Sequence, residues 1–397
     1  MTKNTALLGA SALAVAALLA GCATPATDDT AASTSTPEGI HAPLAVTYDG
    51  GIYVLDGETL EVGADVPLDG FLRVNGVGDE THVAVSTESG FQLLDAAAGE
   101  LTDVTYPGSK PGHVVLHADK TVFFLDGTGE AFTIDSHDVA EGPAAAATYT
   151  AAAPHHGVAV ELEDGTFLVT VGTEERRDGA VALDADGTEI ASSSDCVGIH
   201  GEAVAAGEVA AFGCEDGVLL YKDGAFVKVD APADYARSGN LRGSHESPIL
   251  LGDYKTDAEA ELERPNQFVL VDSESATMSV VDLPEGVSYT FRSLARGAHG
   301  EAYILGTDGA VYVIDPATGE ITDSWDVIGA WSEPLDWQEA RPAIFVRGHD
   351  VYVTDPATNS VHRLDGHTGE VLASVELDAA PNEIAGVSVE DEHEHED

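Results

Sequence analysis

From Pro43 to Val389 the chain is a succession of apolar runs of four to eight residues, each ended by a turn signal, with no helical period. The turns are Asp-Gly or close relatives: Tyr48-Asp49-Gly50, Leu125-Asp126-Gly127, Glu163-Asp164-Gly165, Asp216-Gly217, Lys222-Asp223-Gly224 and Asp308-Gly309. Asp-Gly suits tight hairpins because both residues tolerate a positive φ. A longer period lies above the hairpins. Val311-Tyr-Val-Ile-Asp-Pro-Ala-Thr-Gly-Glu320 returns as Val351-Tyr-Val-Thr-Asp-Pro-Ala-Thr-Asn-Ser360, with looser copies at Phe91 to Glu100 and Ile52 to Glu58. A spacing of about 40 residues per four-stranded unit is that of a β-propeller.

The reading is therefore an all-β chain forming a single β-propeller of four-stranded blades. Units fall at about 44–70, 71–107, 108–142, 143–195, 196–232, 237–285, 287–328 and 335–378. This makes eight blades, with seven as the alternative if the ends are miscounted. A β-sandwich of as many strands would need two domains, which the unbroken period argues against. The first unit is one strand short and the apolar run Asn382 to Val389 is left over, so a C-terminal strand joining the first blade would close the ring and remove both free edges. Lys255 to Pro265 reads as a polar insertion between the inner and next strands of the sixth unit.

Residues 1–21 carry one lysine and an apolar run, Ala6 to Ala20, followed by Gly21 and Cys22. Small residues before a cysteine at the end of a short apolar segment resemble a lipoprotein signal, with Cys22 as the lipidated first residue of the mature chain. The run is too short to span a bilayer comfortably. Residues 22–43, rich in Thr, Ala, Ser, Pro and Asp, read as a flexible tether, 44–389 as the propeller, and 390–397 as an acidic tail holding His393 and His395. The expected location is extracytoplasmic, periplasmic or on the cell surface, with the membrane engaged only through lipid. Cys196 and Cys214 remain as an even pair in an oxidising compartment. Placed opposite each other on a hairpin they form a disulfide; the competing reading is a thiolate pair helping His200 to hold zinc.

With 17 Lys+Arg against 70 Asp+Glu the formal charge is -53. Such a charge repels nucleic acid and anionic membrane. It is also what a surface solvated for life in salt looks like, so acidity alone does not argue a metal site.

Histidines do. His156-Gly-Val-Ala-Val-Glu-Leu-Glu-Asp164, His200-Gly-Glu-Ala-Val-Ala-Ala-Gly-Glu208 and His245-Glu-Ser-Pro-Ile-Leu-Leu-Gly-Asp253 each place an imidazole eight residues before an acid in three consecutive units. Side chains alternate along a strand, so equal offsets point the same way in each copy. His113, in the preceding unit, shares their parity. Neutral imidazoles meeting at one point suit zinc, copper or nickel. His113, His156, His200 and His245 are the expected ligands; His155 and His299 rank second, with Glu202 as a fourth ligand or an orienting group. No Gly-x-Ser-x-Gly elbow, phosphate loop or Cys-x-x-Cys is present, so no enzyme is expected. Rival readings are a propeller that binds a protein or polysaccharide without metal, and a metal-dependent hydrolase or lactonase.

The strings Cys196-Val-Gly-Ile-His200-Gly-Glu-Ala203, Pro154-His155-His156-Gly157-Val-Ala-Val160 and Gly297-Ala-His299-Gly-Glu-Ala302 resemble motifs of the AztD family of periplasmic zinc metallochaperones. The resemblance implies a β-propeller with a histidine-containing site that hands zinc to the solute-binding protein of a zinc ABC importer. It touches His155, His156, Cys196, His200 and His299. The chain departs from that family in having only His41 within residues 23–43, where a histidine-rich segment is expected. Zinc is thus the expected ligand, the solute-binding protein the expected partner, and a monomer the expected state.

Overall fold

The structure, a computed structural model, describes residues 39–389. The expected signal segment, Cys22 and the tail 390–397 lie outside the described residues. Among the described residues thirty-three strands form eight sheets, each a run of four antiparallel strands, and the fifth adds a two-residue strand, Ala236–Arg237, paired in parallel through Asp216. The all-β, eight-bladed reading holds.

Closure follows the leftover-strand argument. Ile384–Gly386 is the innermost strand of blade 1, pairing Leu44↔Gly386, Ala45↔Ala385 and Val46↔Ile384 on the first strand of the chain. Glu383 locks the seam: its carboxylate accepts from Arg292 Nη2 at 2.8 Å and Arg73 Nε at 3.0 Å, and its N–H donates to Thr47 Oγ1 at 2.9 Å. The propeller begins before Pro43, inside the expected tether, because Ile40 N–H donates to the Ala97 carbonyl and the His41 carbonyl accepts from Gly57 N–H.

Within a blade, burial sorts the strands. The second and third are covered on both faces by neighbouring blades and read as continuous apolar runs, as in Gly51–Leu55 and Val209–Cys214, where every residue is buried. Outer strands alternate or are mostly exposed, as in Val371–Glu376. Between blades 3, 4 and 5 the packing is by Phe124, Leu168, Val169 and Phe212, all fully buried. Each such side chain contributes about 1.5–3 kcal/mol.

Two expected boundaries move. Blade 3 runs on to Ala147–Thr150, which pairs with Glu130–Asp135, because a 3-10 turn, Ser136–Glu141, separates its third and fourth strands and lengthens the unit. In blade 6 the innermost strand is Leu241–Ser244, and the apolar Ser247–Asp253 is the second strand. His245 therefore sits in the hairpin between them, and the 255–265 insertion connects the second and third strands. An inner strand reading Leu-Arg-Gly-Ser faces the channel and has little apolar signal, so the more apolar neighbour imitates it.

Candidate metal centre

The innermost strands of blades 3 and 5 are Pro111–His117 and His200–Ala205; that of blade 4, Ala159–Glu161, starts three residues after His156. His113, His156 and His200 thus stand at the strand-start mouth of the channel on three successive blades. One ligand-capable nitrogen from each lies within 4.8 Å of the others, the sole such group of three His, Cys, Asp or Glu among the described residues. Ring centroids are 5.1 Å apart for His113 and His156, 5.3 Å for His113 and His200, and 4.9 Å for His156 and His200. Nitrogens sharing a tetrahedral zinc sit roughly 3.3 Å apart, so a modest closure of the rings brings them within bonding reach.

Hydrogen bonds fix which nitrogen faces the centre. His200 Nδ1–H donates to the Gly239 carbonyl at 2.5 Å, and His156 Nδ1–H donates to Asp126 Oδ2 at 2.5 Å. Each leaves Nε2 as a lone-pair donor, the arrangement that orients metal-binding imidazoles. Asp126 comes from the Asp-Gly turn of blade 3, and Gly112 admits it: a Cβ on Gly112 would lie 2.1 Å from Asp126 Oδ1. Gly201, at φ +67°, forms the bulge after His200; a Cβ there would meet the Gly239 carbonyl at 2.5 Å. The bulge turns the next residue, Glu202, into the channel, where Oε2 lies 3.7 Å from His113 Nδ1.

Charge in the site is set by burial. Desolvation, then the neighbouring His200 and His156 and the cations Arg73 and Arg177, hold His113 well below the ordinary histidine range. Desolvation and His156 bring His200 down to about 3, although the Gly239 carbonyl pulls the other way. Burial pushes the Glu202 carboxyl up to about 7 against the opposing pull of Arg242. At neutral pH His113 is therefore uncharged, and its approach to Glu202 is not an ion pair. The side chain of His156 is 42% exposed and that of His113 20% exposed, so solvent reaches the centre past His156. A cavity of about 450 Å³, lined by His156, residues 173–177 and Glu215, opens there.

The remaining candidates go elsewhere. His155 is buried inside blade 4, with Nδ1–H on the Ala153 carbonyl at 2.9 Å and Nε2 at 3.2 Å from the Thr170 hydroxyl, so no lone pair faces the channel. His245 stacks on His117 with centroids 5.7 Å apart, and His117 Nε2 lies 2.9 Å from Glu208. His117 ends the strand on which His113 lies, about 13 Å further along at the strand rise, so His245 belongs to the other mouth. His299 lies in the hairpin after Leu294–Arg296, its ring 5.1 Å from that of His349. Cys196 and Cys214 are joined as a disulfide, which removes both thiolates as ligands. Cys196 precedes the strand at His200 instead of lying on it. Asp126 and Gly239 are the site residues that sequence reasoning missed: Asp126 was legible only as a turn residue, and a backbone carbonyl leaves no mark in a sequence.

No protein-family model matches the chain. The zinc chaperone AztD of Citrobacter koseri is 27% identical over 304 residues, covering 74% of this chain and 69% of AztD. The crystal structure of that protein superposes with a TM-score of 0.72 at 24% identity, over 87% of this chain and 96% of the other, and the apo form gives the same figures. A dihydro-heme d1 dehydrogenase, NirN, in complex with DHE shares the fold alone, with a TM-score of 0.57 at 12% identity over 88% of this chain and 76% of its own. In sequence the chain is similar to the zinc chaperone AztD, and its β-propeller superposes on the structure of that protein.

Proposed function

We propose that the protein is a zinc carrier outside the cytoplasmic membrane, holding the ion on His113, His156 and His200 and passing it to the solute-binding protein of a zinc importer. The observation that carries the zinc site is the pairing of each exposed or buried lone pair with a fixed opposite nitrogen: Nδ1 of His156 on Asp126 and Nδ1 of His200 on Gly239 leave both Nε2 atoms directed to the centre that His113 shares. Three neutral nitrogens are a zinc donor set with one position open. Two of the rings are held neutral by burial, so the ion need not displace protons from them at pH 7. Glu202 stands beside His113 and supplies a carboxylate for the remaining position when deprotonated.

Delivery follows from exposure. His156 is the ligand nearest solvent, and a partner seated over the strand-start mouth meets it first. Zinc then moves by exchange of ligands, with no bond chemistry required. The disulfide and the kinship with a zinc chaperone support a location outside the cytoplasm, and the lipid anchor at Cys22 remains the reading of the amino-terminal sequence. The test is competition of the untagged, metal-stripped protein against a chromophoric chelator, followed by mixing of the zinc-loaded protein with the cognate solute-binding protein. One tightly held equivalent that moves to the partner faster than zinc dissociates into a chelator supports carriage. Absence of a stoichiometric equivalent sinks it.

A further inference from the structure

In a chain with 17 lysines and arginines against 70 acids, three arginines converge on one small cavity. Arg73, Arg242 and Arg292 line it together with Asn75, Asn240 and Glu383, and its volume is about 170 Å³. These residues come from the inner strands of blades 1, 2, 6 and 7, or the residues leading into them, so the cavity lies across the channel from the histidines of blades 3, 4 and 5, at the same mouth.

The charges do not cancel locally. Glu383 is the one carboxylate in the lining, and it is shared, at 3.0 Å from Arg73 Nε and 2.8 Å from Arg292 Nη2. Arg242 donates only to neutral carbonyls, from Nε to Leu294 at 3.1 Å and from Nη1 to Leu241 at 2.9 Å. Two carboxylates act on Arg242 from outside the lining: Glu202, whose own carboxyl burial pushes up to about 7, and Asp253, which is occupied by Asn240, whose N–H and side-chain amide donate to it at 2.8 and 3.2 Å. Arg292 is almost wholly buried, and its Nε is a buried donor with no hydrogen-bond partner. Guanidinium groups do not shed their protons, so the excess positive charge persists, and burying it without a counterion is costly. The cavity has room for several waters at about 30 Å³ each, which suits a small oxyanion and excludes a nucleotide.

We propose that this cavity binds a small tetrahedral oxyanion of the phosphate or sulfate class, with Arg73, Arg242 and Arg292 supplying charge and Asn75 supplying an amide donor. The lining shares no residue with the histidine centre, although Arg73 acts on His113 and Arg242 on Glu202 through their charge. Three guanidinium groups from different blades would hold the anion by charge-assisted hydrogen bonds, and the anion in turn would tie blades 2, 6 and 7 together around the closing strand.

The experiment is calorimetric titration of the metal-free, full-length protein with inorganic phosphate and with sulfate, ionic strength held constant by chloride. Saturable binding with a dissociation constant of about 1 mM or tighter is expected. Asn75→Asp places a carboxylate in the lining at nearly unchanged size and should weaken phosphate at least about tenfold through like-charge repulsion. Arg242→Gln should do the same by removing charge. Circular dichroism checks that each variant keeps its sheet, and Asn75→Asp decides alone if Arg242→Gln does not fold. No saturable heat from either anion, or parent-like phosphate binding by folded Asn75→Asp, overturns the proposal.

Discussion

Asp126 Oδ2 lies 2.5 Å from His156 Nδ1, a hydrogen bond between residues 30 apart that joins a turn of blade 3 to the entrance of blade 4. The bond selects the tautomer that presents Nε2 to the channel. Replacing Asp126 by Ala leaves that ring free to turn and is expected to cost 10- to 100-fold in zinc affinity, the usual effect of removing a group that orients a metal ligand. Chelator competition measures it. Parent-like affinity in the folded variant means His156 is positioned by something else.

The two anchored histidines should separate in their effects on folding. His156→Ala removes a half-exposed ring and is expected to leave the melting temperature of the metal-free protein unchanged. His200→Ala leaves the Gly239 carbonyl without its donor and should cost about 1–3 kcal/mol. Both, singly or together, should lower zinc affinity more than Asp126→Ala does. Urea denaturation of the metal-free proteins, paired with the affinity assay, distinguishes a ligand from a packing residue.

Acid should destabilise the metal-free protein earlier than its carboxylates alone would. His113 and His200 have depressed pKa values when folded, so between about pH 6.5 and the low folded values the unfolded chain binds protons that the folded one refuses, and stability falls as pH falls. Glu202 has the opposite sign: with its folded pKa raised to about 7, it favours the folded state at low pH and loses that contribution as pH rises toward 7. The net slope between about pH 4.5 and 6.5 should therefore steepen in Glu202→Gln and flatten in His200→Asn. Melting temperature against pH for the three proteins reads this directly.

Cutting the disulfide should cost about 3 kcal/mol, since Cys196 and Cys214 close a loop of 18 residues. It should also weaken zinc, because residues 197–199 are the only chain between the bridge and His200. Thiol titration of the native protein should find neither cysteine free, and paired substitution to Ser gives the stability change.

Much of the architecture was legible because two strands per blade are buried on both faces, and continuous apolar runs between Asp-Gly turns announce themselves. The strand left over at Asn382 to Val389 predicted its own partner for the same reason. The inner strands are the illegible part. They line a polar channel, so Leu241–Ser244 carries one apolar side chain, and the reading slid to the next strand and took His245 with it. Parity applies to His113 and His200, which lie on their inner strands, whereas His156 stands three residues before its strand, Ala159–Glu161, and reaches the channel from the loop. His155 shows the limit of that reasoning: adjacent to His156, it differs by the direction in which one residue faces, and the Thr170 hydroxyl that captures it lies on another strand.

Removing the seam's counterion tests closure. Glu383→Ala leaves Arg292 and Arg73 facing each other across the joint, and breaking a buried pair by deleting one member typically costs 3–5 kcal/mol. Guanidinium denaturation should show that loss, while Glu383→Gln, which keeps the shape and one acceptor, should lose less.

The bond from Glu383 to Thr47 spans 336 residues, so the strand synthesised after the other described strands is also the bolt. At about 5–20 residues per second of translation, a nascent molecule spends most of its synthesis as an unlatched arc whose first blade lacks its axle-side rail. Any product truncated before residue 384 is therefore a horseshoe with two sticky rims.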